Sequence, residues 1–136
     1  MASTNYFNVF IEVAEDTKAT SGNIPPIRGN KKSIANYEYD IVSENPYQYT
    51  SDDVIFMVHA QRNDIPQSAL EKERELFFAK GRPCFRASAL TKTYGWGVHS
   101  NGDGKIAIYG VESKEYAQFI EDSGIKKKKA MRSRKR

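Results

Sequence analysis

The chain has 136 residues, with 21 Lys and Arg against 17 Asp and Glu and a single Cys, which is the size and balance of one globular domain. No apolar run approaches the ~18 residues of a membrane span, and no apolar stretch near the N-terminus reads as a secretory signal. One thiol closes no internal disulfide, so a cytoplasmic protein is expected, nuclear if the source is eukaryotic.

Residues 6–13 alternate, with Phe7, Val9, Ile11 and Val13 on one face and Tyr6, Asn8, Phe10 and Glu12 on the other, which predicts a strand. Residues 14–32 hold Gly22, Pro25, Pro26 and Gly29 and read as a long loop. Ser33 can cap a helix bearing Ile34, Tyr37, Ile41 and Val42, ended by Asn45-Pro46. Thr50 and Asp53 have capping-box spacing ahead of Val54 to Arg62. The apolar run Val54–Val58 also suits a buried strand, but the cap favours helix. Pro66 opens the next helix, which carries Leu70, Phe77 and Phe78 and stops at Gly81. Tyr94 to Val111 reads as a hairpin around residues 100–104. On its first strand Tyr94, Trp96 and Val98 share one face, while Gly95, Gly97 and His99 share the other, where a helix, another backbone or a ligand is expected to come close. Ser113 caps a last helix with Tyr116, Phe119 and Ile120, stopped by Gly124.

Residues 126–136 then carry eight cations and no acid, leaving 13 cations against 17 acids in residues 1–125. The body at 1–125 is therefore expected to be acidic and folded. The segment 126–136 is expected to be a disordered basic tail, because like charges repel and only Ala130 and Met131 offer apolar side chains. The elements predict an α+β domain with a small, mainly antiparallel sheet, made of the N-terminal strand and the C-terminal hairpin and covered by about four helices.

Several chemical motifs fail on spacing. Lys92-Thr93-Tyr94-Gly95-Trp96-Gly97-Val98-His99 partly matches the aromatic strand of RNA-recognition domains, but Thr93 and Gly97 depart from it and no second motif strand is present. A phosphate loop at Gly102, Gly104 and Lys105 lacks its earlier Gly, where His99 stands, and Lys105 is followed by Ile106. A calcium loop aligned on Gly104 would place Gly110 where the bidentate Glu belongs. Nothing in the spacing of Cys84, His59 and His99 supports a zinc site, and no cofactor or metal is expected.

What stands out in the acidic body is a cluster of cations and hydroxyls, Arg82, Arg86, Ser88, Thr91 and Lys92, followed by Tyr94, Trp96 and His99. Guanidinium and ammonium groups beside hydroxyls suit a phosphate or carboxylate, and the aromatic rings offer a stacking surface. The function expected from it is a small-anion or phosphorylated-ligand binding module. Two alternatives use other residues. One is a thiol- or imidazole-dependent enzyme combining Cys84, flanked by Arg82 and Arg86, with His99 or His59 and an orienting Asp52, Asp53 or Asp103. The other is weak nucleic-acid association through Lys126, Lys127, Lys128, Lys129, Arg132, Arg134, Lys135 and Arg136.

Three stretches, Tyr49-Thr50-Ser51-Asp52-Asp53-Val54, Arg86 to Gly97, and Lys129-Ala130-Met131-Arg132-Ser133, resemble a family of short bacterial and fungal proteins catalogued as domain of unknown function 6157. The likeness runs from about Asn5 to Ser133. It implies a single-domain protein and supplies no activity, cofactor or catalytic residue.

Overall fold

The structure, a computed structural model that describes residues 3–133, is organised around strand β1, Val9–Glu12. Both of its faces are covered: Val9 and Ile11 are buried on one side and Phe10 on the other. The strand is shorter than the alternation predicts because Asn8 sits at φ 54°, which breaks the pleat. Phe7, on the same predicted face as the buried Val9 and Ile11, is 57% exposed.

Helices α1, Ile34–Glu44, and α2, Ser51–Arg62, begin at reciprocal capping boxes, Ser33 with Asn36 and Thr50 with Asp53. Each box satisfies two backbone N–H groups that helix geometry leaves without partners. The apolar run in α2 is helical as the cap indicated, with Val54, Phe56 and Val58 buried. Helix α3, Leu70–Phe77, follows one turn of 3-10 helix and ends four residues before Gly81. Helix α4, Ala89–Lys92, was not foreseen; Ser88 caps it after a 3-10 turn at Phe85–Ala87. The α-helices therefore number five among the described residues, with α5 at Lys114–Glu121 capped by Ser113.

Strands β2, Trp96–Ser100, and β3, Ile106–Gly110, form the expected hairpin. Asn101 Oδ1 closes its turn by accepting the N–H groups of Asp103 and Lys105, both at 3.0 Å. Gly97 has a packing reason: a Cβ there would lie 2.5 Å from the Phe10 ring and 2.7 Å from the Tyr116 ring. The expectation of a close approach on that face holds: at Gly97 it is helix α5, and at Gly95 it is the backbone at Ser21.

The main correction concerns the C-terminus. Lys126–Lys129 form strand β4, parallel to β1 with Val9 opposite Lys126. The sheet order is β3-β2-β1-β4, so the α+β fold carries a mixed sheet rather than a mainly antiparallel one. The chain beyond β4 is also bound. Ala130 donates to Glu12 O at 2.9 Å and is buried, Met131 donates to Arg86 O at 2.7 Å, and the Ser133 N–H donates to Asp16 at 3.0 Å.

Repulsion among the lysines is offset because the body is acidic where they land. Lys129 pairs with Glu15 at 3.4 Å, Arg132 pairs with Glu15, and Lys127 donates to the Asp122 carbonyl. The second edge of β1 would otherwise present unpaired backbone groups. Arg134, Lys135 and Arg136 lie outside the described residues.

One face of the sheet packs on α1, α2 and α4 through Val9, Ile11, Val98, Ile106, Val42 and Leu90. The other face carries α5, whose Tyr116 and Phe119 rings lie 4.9 Å from the ring of Phe10. No helix of the described residues is long and apolar enough to cross a membrane.

Candidate functional site

The residues of the predicted anion cluster are dispersed over the fold. Arg86 spends its Nε–H on Lys129 O at 2.7 Å, strapping β4 to the body. Thr91 is fully buried and donates to Phe85 O at 2.6 Å. Tyr94 packs against the main core. Trp96 donates from Nε1 to Asn23 O at 2.9 Å and so pins the long loop. Lys92 is half-buried and lies away from the cavity described below.

His99 faces the opposite side of the sheet from Trp96, as strand alternation requires. There it stacks 4.3 Å from the Phe119 ring, and its Nδ1 lies 2.8 Å from the Tyr47 hydroxyl. Burial lowers its pKa, with Asp122 opposing. The Tyr47 hydroxyl also meets that of Tyr109 at 2.9 Å. Burial, then the Tyr109 contact, pushes it well above its ordinary value.

Arg82 and Ser88 do come together, with residues that the cluster did not include. They line a cavity of about 450 Å³ between α1, α2, the end of α3 and the segment 82–89. Its walls are largely apolar, from Ile34, Ala35, Ile55, Val58 and Phe77 among others. Set into them are Glu38, His59, Arg62, Arg82, Cys84 and Ser88. Thus Cys84 and His59, one pairing of the enzyme alternative, share a cavity, and His99 is excluded from it. The orienting acids do not reach it. Asp52 accepts from Thr4 N and Thr4 Oγ1, both at 2.7 Å, and holds the N-terminal segment. Asp53 caps α2 and pairs with Arg74 at 2.9 Å. Asp103 sits in the hairpin turn.

Local structure fixes each group. Arg82 donates from Nε to Phe77 O at 2.7 Å and lays its guanidinium 3.9 Å above the Phe77 ring. Its terminal nitrogens make no hydrogen bond to the described residues, so a rigid, always charged fork remains available in an apolar wall. His59 lies with its ring 4.6 Å from that of Phe77, held by Asn63 from the next turn of α2. Cys84 is half-buried with Sγ 3.3 Å from the Tyr6 hydroxyl. Burial, and then this contact with Cys84, raises the Tyr6 pKa.

Glu38 is the residue that the sequence reading missed. It is 6% exposed in the middle of α1, and its Oε1 accepts the Ser88 hydroxyl at 2.7 Å. No hydrogen bond to Oε2 is formed among the described residues, and Glu38 is part of the cavity lining. Burial raises its pKa to about 7, with the Ser88 bond opposing. The sequence signal was its place in the apolar stripe of Ala35, Ile41 and Val42, three residues from both Ala35 and Ile41.

A second hollow of about 640 Å³ lies between α2 and α3, lined by Phe56, Met57, Ile65 and Leu70 with Asp64 and Glu71. Its one cation, Arg74, is paired with Asp53, and it contains none of the predicted site residues and no buried ionisable group, so the smaller cavity is the candidate site. No group of three His, Cys, Asp or Glu side chains among the described residues is arranged to hold a metal.

These features define a class: a small α+β domain with a mixed four-stranded sheet and a hollow in its larger helical layer. The chain belongs to DUF6157, a family of unknown function, whose family model matches residues 1–136. No curated protein and no solved structure matches it.

Proposed function

We propose that the protein is a small-ligand binding module whose site is the cavity between α1, α2 and residues 82–89. Its ligand has an apolar body and one anionic group. The observation that carries this reading is Arg82: its orientation is fixed by Phe77, it lines an apolar cavity, and its terminal N–H groups are free of the described residues. Arg62 in the same lining adds a second cation, and His59 adds a ring nitrogen able to hydrogen-bond. A volume of about 450 Å³ suits a compact organic acid.

Of the residues first grouped for the anion, Arg82 keeps that role and Ser88 lines the cavity with its hydroxyl donated to Glu38; Arg86, Thr91, Tyr94, Trp96 and His99 are assigned to the fold, and Lys92 lies away from the cavity. Tail-mediated nucleic-acid binding is the weaker reading, because Lys127, Lys129 and Arg132 are directed to groups of this chain and Lys128 lies 5.8 Å from the Tyr6 ring centre. A cytoplasmic setting belongs to the same proposal.

The test is titration calorimetry with hexanoate, phenylacetate and phenyl phosphate. Arg82→Gln is expected to remove about 1.5–3 kcal/mol of charge-assisted hydrogen bonding, at least a ~tenfold loss of affinity. Arg86→Gln, outside the cavity, leaves affinity unchanged. Equal binding by wild type and Arg82→Gln would refute the site.

A further inference from the structure

We propose that this cavity is an active site for proton transfer next to a carbonyl group, with Glu38 as its acid–base residue and Arg82 as the partner of the oxygen that becomes negative. The inference rests on the ligand reading above and adds a reaction to it.

The first support is the position of Glu38. It occupies a core position of α1 between Ala35 and Ile41, where an apolar side chain would pack at less cost. No cation pairs with it among the described residues, and Ser88 satisfies only Oε1. A buried carboxyl that lines a cavity, with one oxygen held by Ser88 and the other without a hydrogen bond to the described residues, is placed to exchange a proton with a bound molecule.

The second is the environment. A carboxylate facing apolar walls lacks the hydration that weakens it as a base, and burial brings its proton affinity to about 7, where both forms are populated near neutral pH. The third is Arg82, which shares the cavity and retains its proton throughout. It therefore stabilises negative charge without competing as the acid.

The step balances without a co-reactant. Glu38 Oε2 removes a proton from the carbon beside the substrate carbonyl. The C–H electron pair becomes a carbon–carbon double bond as the carbonyl pair moves onto oxygen, giving an enolate held by the Arg82 N–H groups. Glu38 then returns the proton to carbon or to that oxygen, yielding an isomer of the same composition. Ser88 acts as a positioning residue, holding Oε1 so that Oε2 faces the substrate. The other ionisable groups lining the cavity are His59 and Arg62 from α2 and Cys84 from the 82–89 segment. A pH profile must therefore be assigned by variants at Glu38.

The probes are phenylpyruvate, 2-oxohexanoate and 4-oxopentanoate, each an acid with exchangeable hydrogens beside a carbonyl. Proton NMR in deuterated buffer follows their loss, and calorimetry follows binding. Wild type is expected to accelerate exchange of at least one probe over buffer, with a rate that rises through a pH near 7. Glu38→Gln is expected to slow it by about a hundredfold or more while binding changes less than about threefold. Ser88→Ala is expected to move the rising limb to higher pH, because it removes the bond that favours the ionised carboxyl.

Circular dichroism and a melting curve at pH 5 establish that both variants are folded. A probe that binds through Arg82 but exchanges no faster than in buffer overturns the reaction and leaves the binding module standing. Equal exchange by wild type and Glu38→Gln also overturns it. If none of the acids in either panel binds, both readings fall.

Discussion

Glu38 ties stability to pH in a direction opposite to that of most carboxylates. Its pKa rises from 4.5 in the unfolded chain to about 7 in the fold because burial penalises the ionised form, with Ser88 opposing. Between those values the folded protein holds a proton that the unfolded chain has lost, so stability falls as pH rises through the window. Below about pH 4.5 the group costs nothing by this route, and above about 7 the full penalty stands. The gap between 4.5 and about 7 corresponds to about 3 kcal/mol, with no discount for solvent screening because Glu38 is only 6% exposed. Glu38→Gln keeps the shape and can still accept the Ser88 hydroxyl, but carries no charge. Relative to wild type it should therefore gain about 3 kcal/mol between pH 4.5 and 8. Urea unfolding at pH 4.5, 6 and 8 measures the difference directly, and the other titrating groups cancel between the two proteins. A difference that stays constant within about 0.5 kcal/mol would show that Glu38 is ionised and stabilised in the fold by something other than Ser88.

Three further expectations concern the frame around the cavity. Gly97→Ala places a methyl group 2.5 Å from the Phe10 ring and should cost about 1–3 kcal/mol in chemical denaturation; a neutral outcome would mean that α5 does not pack as closely as described. Tyr47→Phe removes the hydroxyl shared with His99 and Tyr109, and should destabilise by about 1–2 kcal/mol while leaving ligand affinity in the cavity unchanged. A chain ending at Gly124 loses β4 and the buried Ala130, and should melt roughly 10 °C lower; an unchanged melting temperature would return residues 126–133 to the status of a loose tail.

The parts of the fold that could be read from sequence are those decided locally. Ser33 and Thr50 announce α1 and α2 because a side-chain oxygen and a residue three positions on settle the helix start between them. The hairpin is legible because Asn101 and Gly104 make its turn within five residues. Strand β4 is not, because nothing within Lys126–Lys129 indicates a strand. Its formation depends on the free edge of β1 and on Glu15, Asp16 and the Asp122 carbonyl, all supplied by other parts of the chain. Charge counted along the sequence sees the repulsion between neighbours and not the acids waiting at the far end. Helix α4 escapes for a different reason: four residues are too few to show a period.

The candidate cavity was legible by residue type, but most of the residues grouped along the sequence do not line it. Arg82, Cys84, Ser88 and His59 were all named, yet proximity along the chain drew Trp96 and His99 into one cluster with Arg86. Alternation along β2 already separated those two rings, since residues three apart on a strand point to opposite faces. Once Trp96 follows Val98 toward α1, His99 must face α5 with Phe119. Glu38 was missed because a charged residue in a helix is read by default as part of the solvent face. The stripe of Ala35, Ile41 and Val42 places it instead on the buried side. A carboxyl that interrupts an apolar stripe either finds a cation in the core or faces a hollow. In this chain it meets a serine and the cavity, and that arrangement is why the proposed chemistry is placed on Glu38.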